Sequence, residues 1–400
     1  MLIEKTRITE AVRKVSPANN ISGEKNRDKS TAGRGLSLSE GKLSGLRVVS
    51  IDAFRGFTIL AMLLVNNKAP HTPVPAHLTH ASWSEGLHFA DLIFPWFIFL
   101  AGVVIPIAGR RAGEGLLKDY YKVLKRSAVL VLLGCLINSS YAGRPMFDFG
   151  VLQLIGFSYF FASVSMLLPG RWRGAAAAAL LAAHWAAIRF IPIPNVGAGV
   201  FTEEINFIRY MNENYFEPIG MPGVLSVATT TALAIIGTLV GEYMKRQDVS
   251  RERKAAAICA AGAVLVLGGW LWNLDLPFVK KLWTSSYVVF AAGWGAIGLG
   301  LFYYIADVKG LRRWTFPFVV FGMNALVIFV LPVLVNIHFL REWTIRGMAG
   351  DDVTVQQFIY DFFFRNFGHL AGGWMYLSLF VFFWWMVMFG MYRKKIFIRA

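Results

Sequence analysis

The sequence predicts an all-α, polytopic membrane protein with about ten transmembrane helices and both termini in the cytoplasm. Three observations predict this fold class: an apolar composition, ten long apolar segments and a one-sided distribution of basic residues. Hydrophobic residues make up 56% of the 400 residues and charged residues only 16%, against about 25% charged in an ordinary globular chain. Because a soluble core of this size cannot bury 33 Phe and 13 Trp residues, lipid is the expected solvent.

The ten apolar segments follow from length, since a helix needs about 20 mainly apolar residues to cross roughly 30 Å of hydrocarbon. The predicted spans lie near residues 50–66, 88–108, 126–142, 149–168, 174–193, 222–243, 255–272, 285–306, 314–336 and 371–391. The first is the weakest, because Asp52 and Arg55 interrupt it. Residues 1–47 are polar and predict a disordered cytosolic tail, which leaves residues 48–400 as the transmembrane domain.

The basic residues indicate the orientation. The connections that share a side with both termini carry 30 Lys and Arg residues, and the opposite set carries 8. Basic residues concentrate on the cytoplasmic side, so this asymmetry predicts cytoplasmic termini in a multi-pass protein of the inner, or plasma, membrane. The net charge of +16 therefore reflects the orientation of the chain in the membrane. We expect no nucleic-acid partner, because the basic residues lie in short connections between apolar segments.

Two motif-like features have plain explanations. Gly293 to Gly298 fit the spacing GxGxxG, but they lie inside an apolar span with no preceding strand, so small residues at a close helix contact explain them better than a dinucleotide site. Cys135 and Cys259 both lie in apolar runs and predict neither a disulfide scaffold nor a cysteine-based metal site.

Charged residues inside the first span are candidates for a site. Asp52 and Arg55 are spaced i,i+3 on one helix face, and a charge at mid-membrane costs about 2.5–3.5 kcal/mol on insertion scales. Such residues either form a structural ion pair near the cytosolic interface or take part in function. The residues alone leave both interpretations open.

The connection after the first span is rich in histidine. It carries His71, His77, His80 and His88, and Asp91 opens the next span. A zinc site is the weaker interpretation, because these histidines lack the spacing and second-shell partners that such sites have. A histidine that handles protons fits better, since imidazole titrates near neutral pH and an aspartate within reach can hold its tautomer.

At these residues the sequence resembles a known family. The segments Ser50-Ile-Asp-Ala-Phe-Arg-Gly56, Val65-Asn66, His80-Ala-Ser-Trp83 and Ala90-Asp-Leu-Ile-Phe-Pro-Trp96 resemble the heparan-α-glucosaminide N-acetyltransferase family, whose bacterial members include the NagX proteins. Later segments agree in the same order: Gly150-Val-Leu-Gln-Leu-Ile-Gly156, Pro222-Gly-Val-Leu-Ser226, Val279-Lys-Lys-Leu-Trp-Thr-Ser-Ser-Tyr287, Asp307-Val-Lys-Gly310 and Gly322-Met-Asn-Ala-Leu326. The resemblance covers residues 48–336.

The resemblance implies a transmembrane acyltransferase domain over residues 48–400. Cytosolic acetyl-CoA would donate its acetyl group to a glucosamine-type amino sugar or glycan on the far side of the membrane, without a metal. It implies that the essential histidine is His80 and that its partner asparagine is Asn66. His80 would act either as a general base or as an acetylated nucleophile, and Asn66 would donate a hydrogen bond to the developing oxyanion.

Further residues are candidates for binding the two substrates. Polar and basic residues of the spans and cytosolic connections are expected to bind the cofactor-like donor acetyl-CoA: Asp52, Arg55, Gln153, Arg126 and Arg313. Three aromatic residues are expected to bind the sugar: Trp83, Trp283 and Tyr287. Aromatic residues near a membrane interface also form the usual interfacial belt.

Two other classes of function remain open at the level of sequence. A carrier would move an amino sugar without chemistry and use polar residues within the spans as its path. A structural component of an envelope-sugar complex would bind no acetyl-CoA. In each case membrane lipid surrounds the chain, and a homodimer is left open.

Overall fold

A computed structural model describes residues 48–108, 116–348 and 350–398, without the side chains of residues 116 and 117. The predicted cytosolic tail, residues 1–47, lies outside the described residues. Within these ranges the chain is mostly helical. The α-helices are α1 Val49–Asn66, α2 Phe89–Ala108, α3 Leu116–Ala142, α4 Val151–Ser165, α5 Gly170–Phe190, α6 Phe207–Met211, α7 Ser226–Lys245, α8 Arg251–Trp272, α9 Ser285–Tyr303, α10 Phe316–Met323, α11 Ala325–Val335 and α12 Val355–Arg393.

Most of these helices are long and apolar enough to cross a membrane. In the described part of the chain seven helices meet that requirement, and the bent pair formed by α10 and α11 adds an eighth candidate. The all-α, polytopic membrane fold predicted from the sequence is therefore correct. The two remaining predicted spans correspond to α4, which has only 15 residues, and to the alanine-rich α5.

The centre of the helix bundle depends on residues without bulky side chains. A Cβ atom on Gly102 of α2 would overlap the carbonyl oxygen of Ala234, and one on Gly237 of α7 would overlap that of Phe99. The backbones of α2 and α7 therefore touch directly, as small residues allow in membrane helices. The predicted close contact at Gly293 is also present, because a Cβ there would lie 2.5 Å from the backbone nitrogen of Val266.

A sharp bend separates α10 from α11. The two helices meet at 63°, and Asn324 at the break is fully buried with non-helical backbone angles. Its side chain donates to the carbonyl oxygen of Ile396 and accepts from the backbone nitrogen of Ile398, each at 3.0 Å. The segment after α12 thus provides hydrogen-bond partners for the buried Asn324 side chain at the bend.

The end of the described chain also differs from the prediction. The last helix is longer than residues 371–391 and contains a break at Gly368, whose positive φ of 73° places it in the left-handed region that favours glycine. A short antiparallel hairpin, β1 Thr344–Arg346 and β2 Asp352–Thr354, precedes it. Thr354 then caps α12 by accepting a hydrogen bond from the backbone nitrogen of Gln357 at 3.2 Å.

Candidate active site

The connection between α1 and α2 positions His80. Its prolines restrict the backbone, and a 3₁₀ turn, Ala76–Leu78, is followed by a turn in which the Glu85 carboxylate accepts from the backbone nitrogen of Ser82 at 2.9 Å. That hydrogen bond lowers the pKa of Glu85. The two turns hold the intervening His80 against the first turn of α2.

Asp91 is the centre of the polar cluster at this point. Its side chain is 2% exposed, and His80 Nδ1 lies 2.9 Å from its Oδ1 atom. The other oxygen, Oδ2, accepts from the backbone nitrogens of Ala81 and His88, each at 3.1 Å. Because an ionised carboxylate can only accept, we assign the Nδ1 proton to His80, which leaves Nε2 as the basic atom of the ring.

Lys280 completes the cluster from the connection between α8 and α9. Its ammonium nitrogen lies 3.2 Å from Asp91 Oδ1 and 2.9 Å from His80 Nδ1. Burial lowers the pKa of Lys280, and the charge of Asp91 opposes that effect. Sequence reasoning counted Lys280 only as a basic residue, although two adjacent lysines on the side poor in cations were a signal.

Tyr287 supports Asp91 from α9. Position 95 is a proline, so the helical partner that the Asp91 carbonyl would normally have lacks an N–H group. The Tyr287 hydroxyl donates to this carbonyl at 2.6 Å. Tyr287 is fully buried and supports Asp91 through this hydrogen bond. Its predicted role of binding the sugar stays a prediction.

Two cavities meet at His80. One, which we call the Asn66 cavity, has a volume of about 200 Å³ and a mainly apolar lining that includes Asn66, Phe97 and Phe329. The other, the Trp83 cavity, has about 380 Å³ and is lined in part by Trp83, Trp283 and Lys281. The residues that line both are His80, Phe94, Val151 and Lys280. A group in either cavity therefore has access to the same imidazole.

The structure does not bring the predicted acetyl-CoA residues to this cluster. Asp52 and Arg55 pair at 3.4 Å in the first turns of α1, and Arg55 also donates to the Gly322 carbonyl. Arg126 lies 4.5 Å from the centre of the Tyr159 ring.

Gln153 and Arg313 complete that set of candidates. Gln153 is fully buried where α4 packs on Gly134 of α3, and Arg313 begins the turn before α10. The described residues that line the two cavities include none of the five candidates for binding acetyl-CoA.

The histidine-rich connection forms no metal-ligand group of three or more His, Cys, Asp or Glu side chains among the described residues. His88 Nδ1 lies 3.0 Å from the carbonyl oxygen of Thr79, and its ring packs edge-on against His77 with centroids 5.6 Å apart. These two histidines therefore stabilise the connection that carries His80.

Comparison with known proteins points to one family. A family described as "Heparan-alpha-glucosaminide N-acetyltransferase, catalytic" matches residues 47–261, more than half of the chain. The heparan-alpha-glucosaminide N-acetyltransferase of Mus musculus is 25% identical over 370 residues, covering 75% of this chain and 55% of the relative. That of Homo sapiens is 25% identical over 428 residues, covering 89% and 60% respectively. The chain thus spans less than two thirds of the length of these relatives.

Proposed function

The chain belongs to the heparan-alpha-glucosaminide N-acetyltransferase family, and from that premise we propose that it transfers the acetyl group of acetyl-CoA across the membrane to an amino sugar. The observation that carries this proposal is the position of His80, which is paired with a buried Asp91 and lines two cavities at once. A group-transfer enzyme needs a base that reaches both the donor and the acceptor.

The proposed topology has ten spans, with α4 and α5 included, and both termini in the cytoplasm of a cell whose inner membrane holds the protein. Contacts between segments that are predicted to lie on the same side of the membrane support this topology. Lys281 pairs with Glu203 at 2.9 Å, and both belong to predicted far-side connections. Lys245 donates to the Pro106 carbonyl at 2.8 Å, and both lie at predicted cytosolic helix ends. The bacterial NagX-like branch is part of this proposal.

The cavities have different linings, which suits two different substrates. The acetyl-thioester end of acetyl-CoA fits the apolar Asn66 cavity, where Asn66 is available as a donor to the carbonyl oxygen. The amino sugar fits the Trp83 cavity, whose lining includes the indole rings of Trp83 and Trp283. The five candidates for binding the remainder of CoA, Asp52, Arg55, Gln153, Arg126 and Arg313, retain that role as part of the proposal.

The proposed chemistry uses His80 as a general base. The acceptor amine attacks the thioester carbonyl carbon, and Nε2 of His80 takes the proton that the amine loses. The tetrahedral intermediate then expels the CoA sulfur, which receives that proton, and an amide bond has replaced the thioester. A hydrogen bond from Asn66 to the oxyanion is worth about 2.7–4 kcal/mol by analogy with other oxyanion donors. In the alternative sequence His80 carries the acetyl group first.

The test is acetyl transfer by purified protein in detergent. Labelled acetyl-CoA is mixed with glucosamine or, as the matched control, with glucose, which lacks the amine. We expect labelled amide with glucosamine only, and we expect acetyl-CoA to raise the thermal unfolding midpoint, because a ligand at 100 times its Kd adds about 2.7 kcal/mol. Neither transfer nor a thermal shift at millimolar acetyl-CoA would reject the proposed function.

A further inference from the structure

The ammonium of Lys280 occupies an unusual position for a residue near a catalytic base. Lys280 Nζ, His80 Nδ1 and Asp91 Oδ1 form a triangle whose sides are 2.9, 2.9 and 3.2 Å. Because two backbone N–H groups already bind Oδ2 of Asp91, the single atom Oδ1 receives both His80 and Lys280. The carboxylate charge is therefore shared between the two side chains.

This sharing matters for the protonation of His80. An unshared carboxylate beside an imidazole favours the imidazolium form, which has no basic nitrogen left. Here Lys280 already neutralises Asp91, and a protonated His80 would place a second cation 2.9 Å from the ammonium. Like charges at such a distance disfavour each other. Asp91 is 2% exposed, Lys280 27% and His80 49%, so water screens the repulsion only on the open side of the imidazole.

We propose that Lys280 is a positioning residue that keeps His80 neutral and ready to accept a proton, and that makes it release the proton after each transfer. The inference rests on the proposed function. Asp91 orients the imidazole, and Lys280 offsets the excess negative charge that this orientation brings. Asp91 and Lys280 together therefore orient the imidazole of His80 and leave it in the neutral form that can accept a proton.

The surrounding groups leave few other charges to consider. The ionisable residues that line the two cavities are His80, Asp91, Lys280 and Lys281. Lys281 points to Glu203, with 72% of its side chain exposed. From the connection that carries His80, Glu85 binds Ser82, and His88 lies against a backbone carbonyl. The helices α1, α4 and α11 contribute apolar residues and Asn66 to the cavity walls.

The experiment measures the protonation of His80 directly. Diethyl pyrocarbonate modifies neutral imidazole, and mass spectrometry of the His80 peptide gives the fraction modified at each pH, with His80→Ala protein as the blank. Wild type is compared with Lys280→Met, Lys280→Gln and Lys280→Arg. The matched control is Lys281→Met, which removes the adjacent but exposed lysine. The acid limb of kcat/KM for acetyl transfer is recorded for the same proteins.

In both Lys280→Met and Lys280→Gln we expect the midpoint of His80 modification to move to higher pH by about one unit or more. The acid limb of kcat/KM should move with it, so that these variants regain activity at alkaline pH. Lys280→Arg should retain the wild-type midpoint because it retains the cation, and Lys281→Met should retain it because Lys281 lies outside the triangle.

Two kinds of result would overturn the inference. An unchanged midpoint in folded Lys280→Met and Lys280→Gln protein, or a loss of activity that no rise in pH restores, rejects this role of Lys280 while an active wild type upholds the proposed function. If the variants shift the midpoint but the wild-type protein transfers no acetyl group, the proposed function is rejected, and with it the role of Lys280 as a positioning residue for that reaction. Thermal unfolding of each variant verifies that it is folded.

Discussion

The hydroxyl of Tyr287 donates to the main-chain carbonyl of Asp91 at 2.6 Å and replaces the helical hydrogen bond that Pro95 cannot make. Pro95 has no N–H group to donate to the Asp91 carbonyl, and the Tyr287 hydroxyl takes the place of that donor. A side chain from α9 therefore fixes the residue that orients His80. Two distant segments of the sequence depend on each other through this contact.

The first prediction concerns that contact. Tyr287→Phe should lower the free energy of unfolding by about 1–3 kcal/mol, because it leaves a buried carbonyl without a partner. It should also lower kcat as Asp91 loses its fixed position. Tyr304→Phe, which changes a more exposed phenol at the end of the same helical segment, is the control. Equal thermal midpoints for the two variants in detergent would contradict the assigned role of Tyr287.

The second prediction separates the base from the residue that orients it. His80→Ala should reduce acetyl transfer by about 10²–10⁴-fold if His80 is a general base, and almost completely if it is the acetylated nucleophile. Asp91→Asn should reduce kcat by up to about 10⁴-fold, as replacing a carboxylate that orients a histidine does in the serine proteases. Steady-state rates with labelled acetyl-CoA give both values. A folded His80→Ala protein with more than about a tenth of the wild-type rate would remove His80 from the mechanism.

Asn66 and its neighbour Asn67 provide a matched pair for the third prediction. Asn66→Ala should lower kcat by about 10²–10³-fold with little change in stability, because Asn66 lines the cavity as the candidate oxyanion donor. Asn67 follows the last residue of α1 and its side chain donates to the Leu63 carbonyl at 3.0 Å, so Asn67→Ala should instead cost about 0.5–1.5 kcal/mol of stability. Rates and thermal midpoints of both variants decide the matter. A loss of rate in Asn67→Ala together with a loss of stability in Asn66→Ala would contradict both assignments.

The fourth prediction tests the packing of α2 on α7. Gly237→Ala should destabilise the protein, since the added methyl group overlaps the Phe99 carbonyl and forces the two helices apart. Gly268→Ala adds the same group to open space on α8 and should leave stability unchanged or raise it by up to about 1 kcal/mol. The thermal unfolding midpoints of the two variants in detergent measure this difference. A Gly237→Ala midpoint at or above that of wild type would contradict the direct backbone contact.

The fifth prediction uses the pH dependence of stability. Burial lowers the pKa of Lys280 from its usual value of 10.5, so the folded protein releases that proton at lower pH than the unfolded chain does. The resulting stability is present in full above the unfolded pKa and is lost as the pH falls through the folded pKa. Relative to Lys280→Met, wild type should therefore gain stability as the pH rises towards the usual lysine pKa of 10.5. Thermal midpoints measured across this range should diverge, and a constant difference would contradict the shift.

The sequence predicted most of the fold because apolar runs determine the spans. The predicted segments 50–66 and 88–108 match α1 and α2 within one residue. The bend at Asn324 was not predictable, because its partners Ile396 and Ile398 lie 72 and 74 residues further along the chain. The break at Gly368 was missed because it lies outside the predicted apolar segment.

The candidate site was predictable where its residues are close in sequence. His80 and Asp91 are 11 residues apart, and their proximity could be expected from the start of α2. Lys280 is 200 residues from His80, and only the packing of the connection between α8 and α9 brings them together. Tyr287 was predicted as a sugar-binding or interfacial aromatic residue, because the sequence does not reveal that its hydroxyl donates to the Asp91 carbonyl. The catalytic roles themselves stay predictions.

The bend between α10 and α11 has a consequence for biosynthesis. Asn324 is synthesised before Ile396 and Ile398, and the whole of α12 lies between them in the sequence. Its two side-chain hydrogen bonds can therefore form only after α12 has been made. Until those residues are made, the amide lacks both of these hydrogen-bond partners, and an unsatisfied polar group in the hydrocarbon region is costly. Assembly of this half of the bundle is therefore completed only when the segment after α12 returns to the bend.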